Sequence, residues 1–330
     1  MSSASDIRRE ERIAVLIPCY NEAAAIGKVV LDFRKSLPEA EIYVYDNNST
    51  DETRERALEA GAHVGSETRQ GKGNVVRRMF NEVDADIYVM VDGDATYDAS
   101  AAPMLIDCLI KNSCAMVVGS RVHHAKEAYR PAHVFGNALL SGMIGHLFGN
   151  VFRDVLSGYR VFTRQFVKSF PLLTGGFELE TELTVHALGL RLPVREIDTV
   201  YGPRPTGSAS KLATYRDGCH ILWTILSLLK NERPLLFFGN AFVALELLSI
   251  VLAYPIVVHF IETGLVPRFP TAILATGIGL LGFISLTCGL VLDTVSRGRW
   301  ETKYLLWLHA GSMVRTGLDE PVGTTHKSSN

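Results

Sequence analysis

From Ile13 onward, short apolar runs alternate with stretches whose apolar residues recur at helical spacing, the pattern of a mostly parallel sheet with helices on its faces. Strands are predicted over residues 13–17, 42–45, 87–91 and 115–118, with a later one over 194–200. The helix after Asn21 places Ile26, Val29, Val30 and Phe33 on one face, and the helix after Ser49 opens with a capping-box pair, Ser49 and Glu52. Both helices are expected to begin where a ligand phosphate can lie.

The C-terminal third follows a different rule. Residues 235–261 are apolar apart from Asn240, Glu246 and His259, and residues 271–292 are apolar without a charge. Each run exceeds the roughly 20 residues that cross a hydrocarbon core of about 30 Å. With the short connection 262–270 they form a predicted transmembrane hairpin. Lys230, Arg233, Arg297 and Arg299 flank its open end, whereas the connection carries only Arg268 and Glu262, so the positive-inside rule places both termini in the cytoplasm. Two further segments, 215–229 and 134–148, each carry a broad apolar face; a helix in the membrane interface and a helix packed into the soluble domain both fit them. Gly277-Ile278-Gly279-Leu280-Leu281-Gly282 matches G-x-G-x-x-G, but no strand precedes it and it lies inside an apolar run, so easing of helix packing is the better reading.

The expected plan is therefore a cytosolic α/β domain over 1–212, an amphipathic interfacial helix over 213–234, two membrane helices within 235–292, and a cytosolic tail over 293–330, polar and disordered beyond Leu318. Composition sharpens this. The 47% hydrophobic content is high for a soluble chain, and the excess is concentrated in the hairpin. A formal charge of −2 without aromatic-basic interleaving gives no case for nucleic acid. The polar start, 1–12, has no apolar core of a secretory signal. Five scattered cysteines without ligand spacing read as reduced thiols.

Three strand ends carry the candidate chemistry. The run 87–91 ends in Asp92-Gly93-Asp94; two carboxylates one residue apart make a hard oxygen site suited to Mg²⁺ or Mn²⁺ carrying a diphosphate, although an Asp turn has the same signature. The first strand leads into Pro18-Cys19-Tyr20-Asn21-Glu22. There Pro18 is expected to stop the ladder, Tyr20 offers a ring to a base, Glu22 can accept from base or ribose, and Asn21 can serve as an N-cap. The second leads into Asp46-Asn47-Asn48-Ser49-Thr50-Asp51, where Asp46 can accept ribose or base hydrogens and a capped turn competes. Strand ends of one sheet open into one crevice.

The ordered motifs IPCYNE, DNNSTD, QGKGNVV, VDGDAT, GSR and SGYRVF resemble the family 2 glycosyltransferases of GT-A fold. With the C-terminal hairpin, the chain is similar to their dolichyl- or polyprenyl-phosphate hexose synthase branch. The resemblance implies an inverting, metal-dependent transfer of one hexose-type sugar from a nucleotide-diphosphate sugar to a polyprenyl phosphate at the cytoplasmic membrane face. It assigns Pro18, Tyr20, Asn21, Glu22, Asp46, Asn48, Lys72, Asp92 and Gly93 to the sugar nucleotide, and Asp92 and Asp94 to the metal. It puts Arg121 at the acceptor phosphate, with Arg160, Arg204 and Lys211 as further basic contacts; Arg160 equally fits a structural arginine paired to Asp154. Relatives usually carry a second arginine shortly before a Gly/Ala-Asn pair; here His133-Val134-Phe135 precede Gly136-Asn137, with Arg130 further back.

In relatives that glycosylate hydroxyls, a carboxylate near Phe177-Glu178-Leu179-Glu180-Thr181-Glu182 deprotonates the acceptor. A phosphate monoester, with a second pKa of about 6, needs no such base. Glu180 is then left to position sugar or metal water, and the sequence does not choose between Glu180 and Glu182. The rival readings are a family 2 enzyme with another lipid or polysaccharide acceptor and a non-catalytic membrane scaffold. Ser296-Arg297-Gly298-Arg299-Trp300 departs from the Q-x-x-R-W of processive synthases and reads as a basic anchor. The sequence is compatible with a homo-oligomer and does not set the subunit count.

Overall fold

The computed structural model describes residues 11–123, 131–149, 152–171, 179–203, 223 and 225–319. Seven strands form one sheet: β1 (Ile13–Cys19), β2 (Glu41–Asp46), β3 (His63–Ser66), β4 (Ile87–Met90), β5 (Met116–His123), β6 (Arg160–Thr163) and β7 (Val194–Tyr201). Their order is β3-β2-β1-β4-β6-β5-β7. All run parallel except β6, which is antiparallel to both β4 and β5. Because β6 is reversed, its first residue, Arg160, lies opposite Met90 and Val118, so the turn leading into β6 reaches the edge where the other strands end.

The predicted strands are all present, with β3 and β6 added. Both additions are four residues long, too short for a periodic signal, and β6 is specified only by its partners. The expectation that Pro18 ends the ladder is corrected. Pro18 pairs with Tyr45 and the strand runs on to Cys19. Leu16 O accepts the Val91 N–H toward β4 and Cys19 O accepts the Asn47 N–H toward β2, so alternation turns the absent N–H of Pro18 toward β4. Pairing with β4 has already stopped at Met90, and no ladder bond is lost.

Helices cover the sheet: α1 (Ile26–Ser36), α2 (Thr53–Glu59), α3 (Lys72–Glu82), α4 (Ala102–Lys111), α5 (Pro131–Phe148), α6 (Arg164–Ser169) and α7 (Leu179–Gly189). Ile26, Val29, Val30 and Phe33 of α1 enter the core with Val15, Ile17, Val44, Val89, Val117 and Val161 of the sheet and Leu105 and Leu109 of α4, as their spacing required. In the described half of α5, Leu140, Ile144 and Leu147 are buried while Leu139 is exposed, so one face packs into the domain.

Two long helices follow, α8 (Pro234–Thr263) and α9 (Phe269–Asp319), joined by a turn that starts with Gly264 at φ 71°, the left-handed conformation that favours glycine. The chain divides into two compact units, Met1–Thr214 with Lys303–Asn330, and Tyr215–Thr302. In the second unit the helices are tied by Ser249 Oγ donating to Ala275 O (2.8 Å) and Ser285 Oγ donating to Phe238 O (3.0 Å). A Cβ at Gly282 would lie 2.6 Å from Glu246 Oε1 and one at Gly279 3.2 Å from Ser249 Oγ, so these two glycines ease the helix approach, while Gly277 faces open space. The outward apolar side chains, among them Val251 and Leu280, stay exposed along helices long and apolar enough to cross a membrane. Of the expected interfacial helix, residues 213–222 and 224 lie outside the described residues, as does the end of the tail, while 225–232 are helical.

Candidate active site

The turns after β1 and β2 are laced together. Backbone N–H groups of Asn21, Glu22 and Ala23 donate to Ser49 Oγ (2.8 Å), Thr53 Oγ1 (2.8 Å) and Asp51 Oδ2 (3.1 Å), and the Thr50 N–H returns a bond to Asn21 Oδ1 (2.8 Å). One expectation is corrected by this. The capping box is not formed, because α2 starts at Thr53 and Ser49 is spent on Asn21. The lacing instead fixes the floor under Tyr20, Glu22 and Asp46. Asn21 and Asn48 hold φ of 53° and 61°, left-handed values that asparagine tolerates.

Asp46 is buried and accepts the Ser49 N–H through Oδ2 (3.2 Å). Its Oδ1 is buried without a hydrogen-bond partner among the described residues. An orphaned acceptor costs about 1–3 kcal/mol, which a ligand hydroxyl or N–H would offset.

Asn47, which sequence reasoning passed over, builds the next wall. Its side chain donates to Glu67 O (2.9 Å) and Arg69 O (2.8 Å) and accepts the Gly71 N–H (2.7 Å), while Asn48 donates to Thr68 O (2.8 Å). The paired asparagines thus shape the loop from Glu67 to Gly71 that delivers Lys72 at the start of α3. The visible signal was two adjacent asparagines at a strand end, a residue type that bonds to nearby backbone.

Lys72 Nζ bridges Asp92 Oδ1 and Glu180 Oε1, each at 2.5 Å. Burial works to lower its pKa, but the two carboxylates outweigh it and hold the ammonium above its ordinary value. Glu180 stands in the first turn of α7, so three elements far apart in sequence, α3, the β4 end and α7, meet at one cation. Asp94 is buried, and its Oδ1 accepts from Thr96 N (3.2 Å) and Thr96 Oγ1 (2.6 Å). Ala95, next in line, holds φ of 57°, a left-handed turn that costs a residue with a Cβ about 1–2 kcal/mol and that clusters at functional sites.

Both glycines at the acidic pair leave room for a neighbouring side chain. A Cβ at Gly93 would lie 2.5 Å from Cys19 Sγ, and one at Gly158 would lie 2.5 Å from Asp92 Oδ2. Gly158 stands in the turn that the reversed β6 brings to this edge, with its N–H donating to Tyr97 Oη (2.9 Å). Burial pushes the Cys19 thiol well up, and the charges of Glu22, Asp46, Asp92 and Asp94 push it further. Cys19 also stands opposite Asp46 in the sheet register and against Gly93, so the ends of β1, β2 and β4 meet at this buried sulfur.

Arg121, at the end of β5, is gripped by Asp154 through Nε and one terminal nitrogen, both at 2.7 Å, and lies over the Tyr201 ring at 5.6 Å. Asp154 in turn receives Arg121 N (3.2 Å), and its own N–H donates to Glu196 Oε1 (2.9 Å). The partner of Asp154 is thus Arg121, which corrects the pairing considered for Arg160. Arg160 is completely enclosed. It donates to Ser157 O (2.9 Å), Val155 O (2.5 Å) and Thr184 Oγ1 (2.9 Å), and burial lowers its pKa to about 10. A guanidinium spent on these acceptors inside the fold cannot reach an acceptor, so it is left out of the acceptor set. Glu182 is on the other side of α7 from Glu180. Arg204 and Lys211 lie outside the described residues.

For a divalent ion, the donor set offers two hard carboxylates, Asp92 and Asp94, in a crevice with an excess of acid. Among the described residues no group of three or more His, Cys, Asp or Glu side chains could hold a metal by itself. The set fits an ion whose remaining positions are filled by diphosphate oxygens and water.

Residues 14–170 match the model of glycosyl transferase family 2. Glycosyltransferase AglJ of Haloferax volcanii is 35% identical over 279 residues, 83% of this chain and 91% of that protein. A dolichyl-phosphate hexose transferase of the same organism is 28% identical over 222 residues, covering 67% and 95%. Among solved structures, glucosyl-3-phosphoglycerate synthase from Mycobacterium tuberculosis, in complex with Mn²⁺, uridine-diphosphate and glucosyl-3-phosphoglycerate, superposes with a TM-score of 0.54 at 24% identity, over 67% of this chain and 80% of that one.

Proposed function

The chain belongs to glycosyl transferase family 2, and on that premise we propose that it moves a single hexose-type sugar from a nucleotide-diphosphate donor to a polyprenyl phosphate, with inversion, at the cytoplasmic face of a membrane. The observation that carries this reading is the convergence of Asp46, Asp92, Asp94, Lys72 and Glu180 at the edge where β1, β2 and β4 end. The similarity to a dolichyl-phosphate hexose transferase and the two long apolar helices support the lipid acceptor and the membrane.

In this reading Asp46 Oδ1 takes a hydrogen from the nucleoside, and Tyr20 and Glu22 flank it on the laced turns. Asp92 and Asp94 would hold Mg²⁺ or Mn²⁺, which when bound would neutralise charge on the diphosphate leaving group. Lys72 adds a positive charge at the same place, and Glu180 keeps the ammonium aimed. Arg121, oriented by Asp154, receives the acceptor phosphate, for which a planar guanidinium is suited. Arg204 and Lys211 are assigned by resemblance to the basic loop over donor and acceptor.

An acceptor oxygen, already ionised near neutral pH, attacks the anomeric carbon as the bond from that carbon to the β-phosphate oxygen breaks. The nucleoside diphosphate leaves with the electron pair. No side chain has to remove a proton, which agrees with a Glu180 engaged by Lys72 rather than poised as a base.

The test is an incubation of the full chain in membranes with labelled nucleotide sugars, polyprenyl phosphate and Mn²⁺, followed by extraction of the lipid. One sugar per lipid is expected. A polymer, or label on a lipid without a phosphate acceptor, would overturn the reading.

A further inference from the structure

Helix α7 has two working faces. Glu180 points at Lys72, while Glu182 and His186 lie two and six residues further on, which at about 100° per residue turns them to the opposite side. On that side the unit holds a stretch of α9. Gln165 Nε2 of α6 donates to Trp307 O at 2.9 Å, a bond additional to the ladder of α9 itself. Ala310 is buried, and a Cβ at Gly311 would lie 2.5 Å from Gln165 Nε2, so α9 runs close against α6 here. Lys303 acts electrostatically on both Glu182 and His186. The His186 ring lies edge-on between Phe166 of α6 and Phe170, at 5.4 and 5.0 Å, which joins α6 and α7 into one packed layer.

Glu180 needs such support. It stands in the first turn of its helix, where backbone N–H groups have no earlier turn to bond to and ends fray. On its near side α7 is held by Arg160 donating to Thr184 Oγ1 (2.9 Å), and on its far side it packs through His186 on the layer of Phe166 and Phe170. We propose that the Lys303–Gly311 stretch of α9 is a strut that holds α6 and α7 in place and so keeps Glu180 on Lys72. Gln165 and Lys303 are its positioning residues: neither touches the crevice, and Gln165 acts through α6 and Lys303 through α7. The proposal rests on the site described above, but not on which donor or lipid that site takes.

The test needs no substrate. The full chain in detergent micelles is treated with the N-hydroxysuccinimide ester of acetate, and acylation of Lys72 is followed by mass spectrometry. In the native protein two carboxylates clasp the ammonium, and labelling is slow. The Gln165→Ala, Lys303→Ala double variant is expected to label Lys72 several-fold faster, approaching a Glu180→Gln variant, with the melting temperature within a few degrees of native. Lys303→Arg, which keeps the charge, is expected to retain the slow rate. A double variant that folds and labels Lys72 at the native rate would overturn the strut. Should that variant lose its melting transition, Gln165→Ala alone is read by the same two outcomes. A chain that transfers no sugar to any lipid would sink the functional reading and leave this one standing.

Discussion

Gly158 has Asp92 where its side chain would be, and Gly158→Ala puts that contact to the test. An alanine Cβ would meet Asp92 Oδ2 at 2.5 Å, Cγ at 2.9 Å and Oδ1 at 3.0 Å. Relaxing such contacts to an ordinary separation of about 3.5 Å moves the carboxylate by roughly 1 Å. Asp92 is the mobile partner, since Gly158 is pinned by its N–H bond to Tyr97 and by the start of β6. The φ of Gly158 lies outside the left-handed range, so alanine adds no backbone strain and the fold is expected to persist. A reacting constellation displaced by about 1 Å loses on the order of 10²-fold in rate, which corresponds to about 2.7 kcal/mol of transition-state stabilisation. The expected outcome is therefore a transfer rate down by about 10²-fold, a raised Mn²⁺ requirement, and a melting temperature close to native. The assay is sugar transfer to extracted lipid over a Mn²⁺ titration. Native rate with native metal dependence would refute the contact and the role given to Asp92.

Three further outcomes follow from single groups. Asp94→Ala is expected to abolish transfer with little loss of stability beyond the Thr96 bonds; wild-type turnover in that variant would remove the metal role. His186 is enclosed and held neutral, its pKa lowered by burial to about 3, so its contribution to stability is complete above its ordinary value and is lost as pH falls toward 3. The loss is about 1.4 kcal/mol per pH unit below 6.5, and His186→Phe should flatten the fall in melting temperature between pH 6.5 and 4.5. Glu182 has the opposite sign. Burial raises it to about 7, so its contribution is present at acidic pH and is lost as pH rises toward and past 7. Glu182→Gln is expected to hold its melting temperature between pH 5.5 and 8 while the native chain declines, and parallel curves would count against the burial of that carboxyl.

Much of this protein was legible before any coordinates. Period-two and period-3.6 patterns located five of the seven strands and the buried face of α1, because those signals depend only on which side of an element faces the core. Uninterrupted apolar length picked out α8 and α9. Carboxylates at the ends of β1, β2 and β4 could be placed in one crevice, because parallel strands send their ends to the same edge.

What tertiary structure alone decided depends on residues that are distant in sequence. The reversed β6 has no local signature, yet it carries Gly158 under Asp92 and buries Arg160. Lys72 was legible as a basic residue near a donor, but its clasp by Asp92 and Glu180 joins positions up to 108 residues apart. Ser49 matched a helix cap and became a brace for the neighbouring turn instead, since a hydroxyl bonds to whichever N–H folding places beside it. Periodicity reports a residue's own environment; the identity of its partner is settled only when the chain closes on itself.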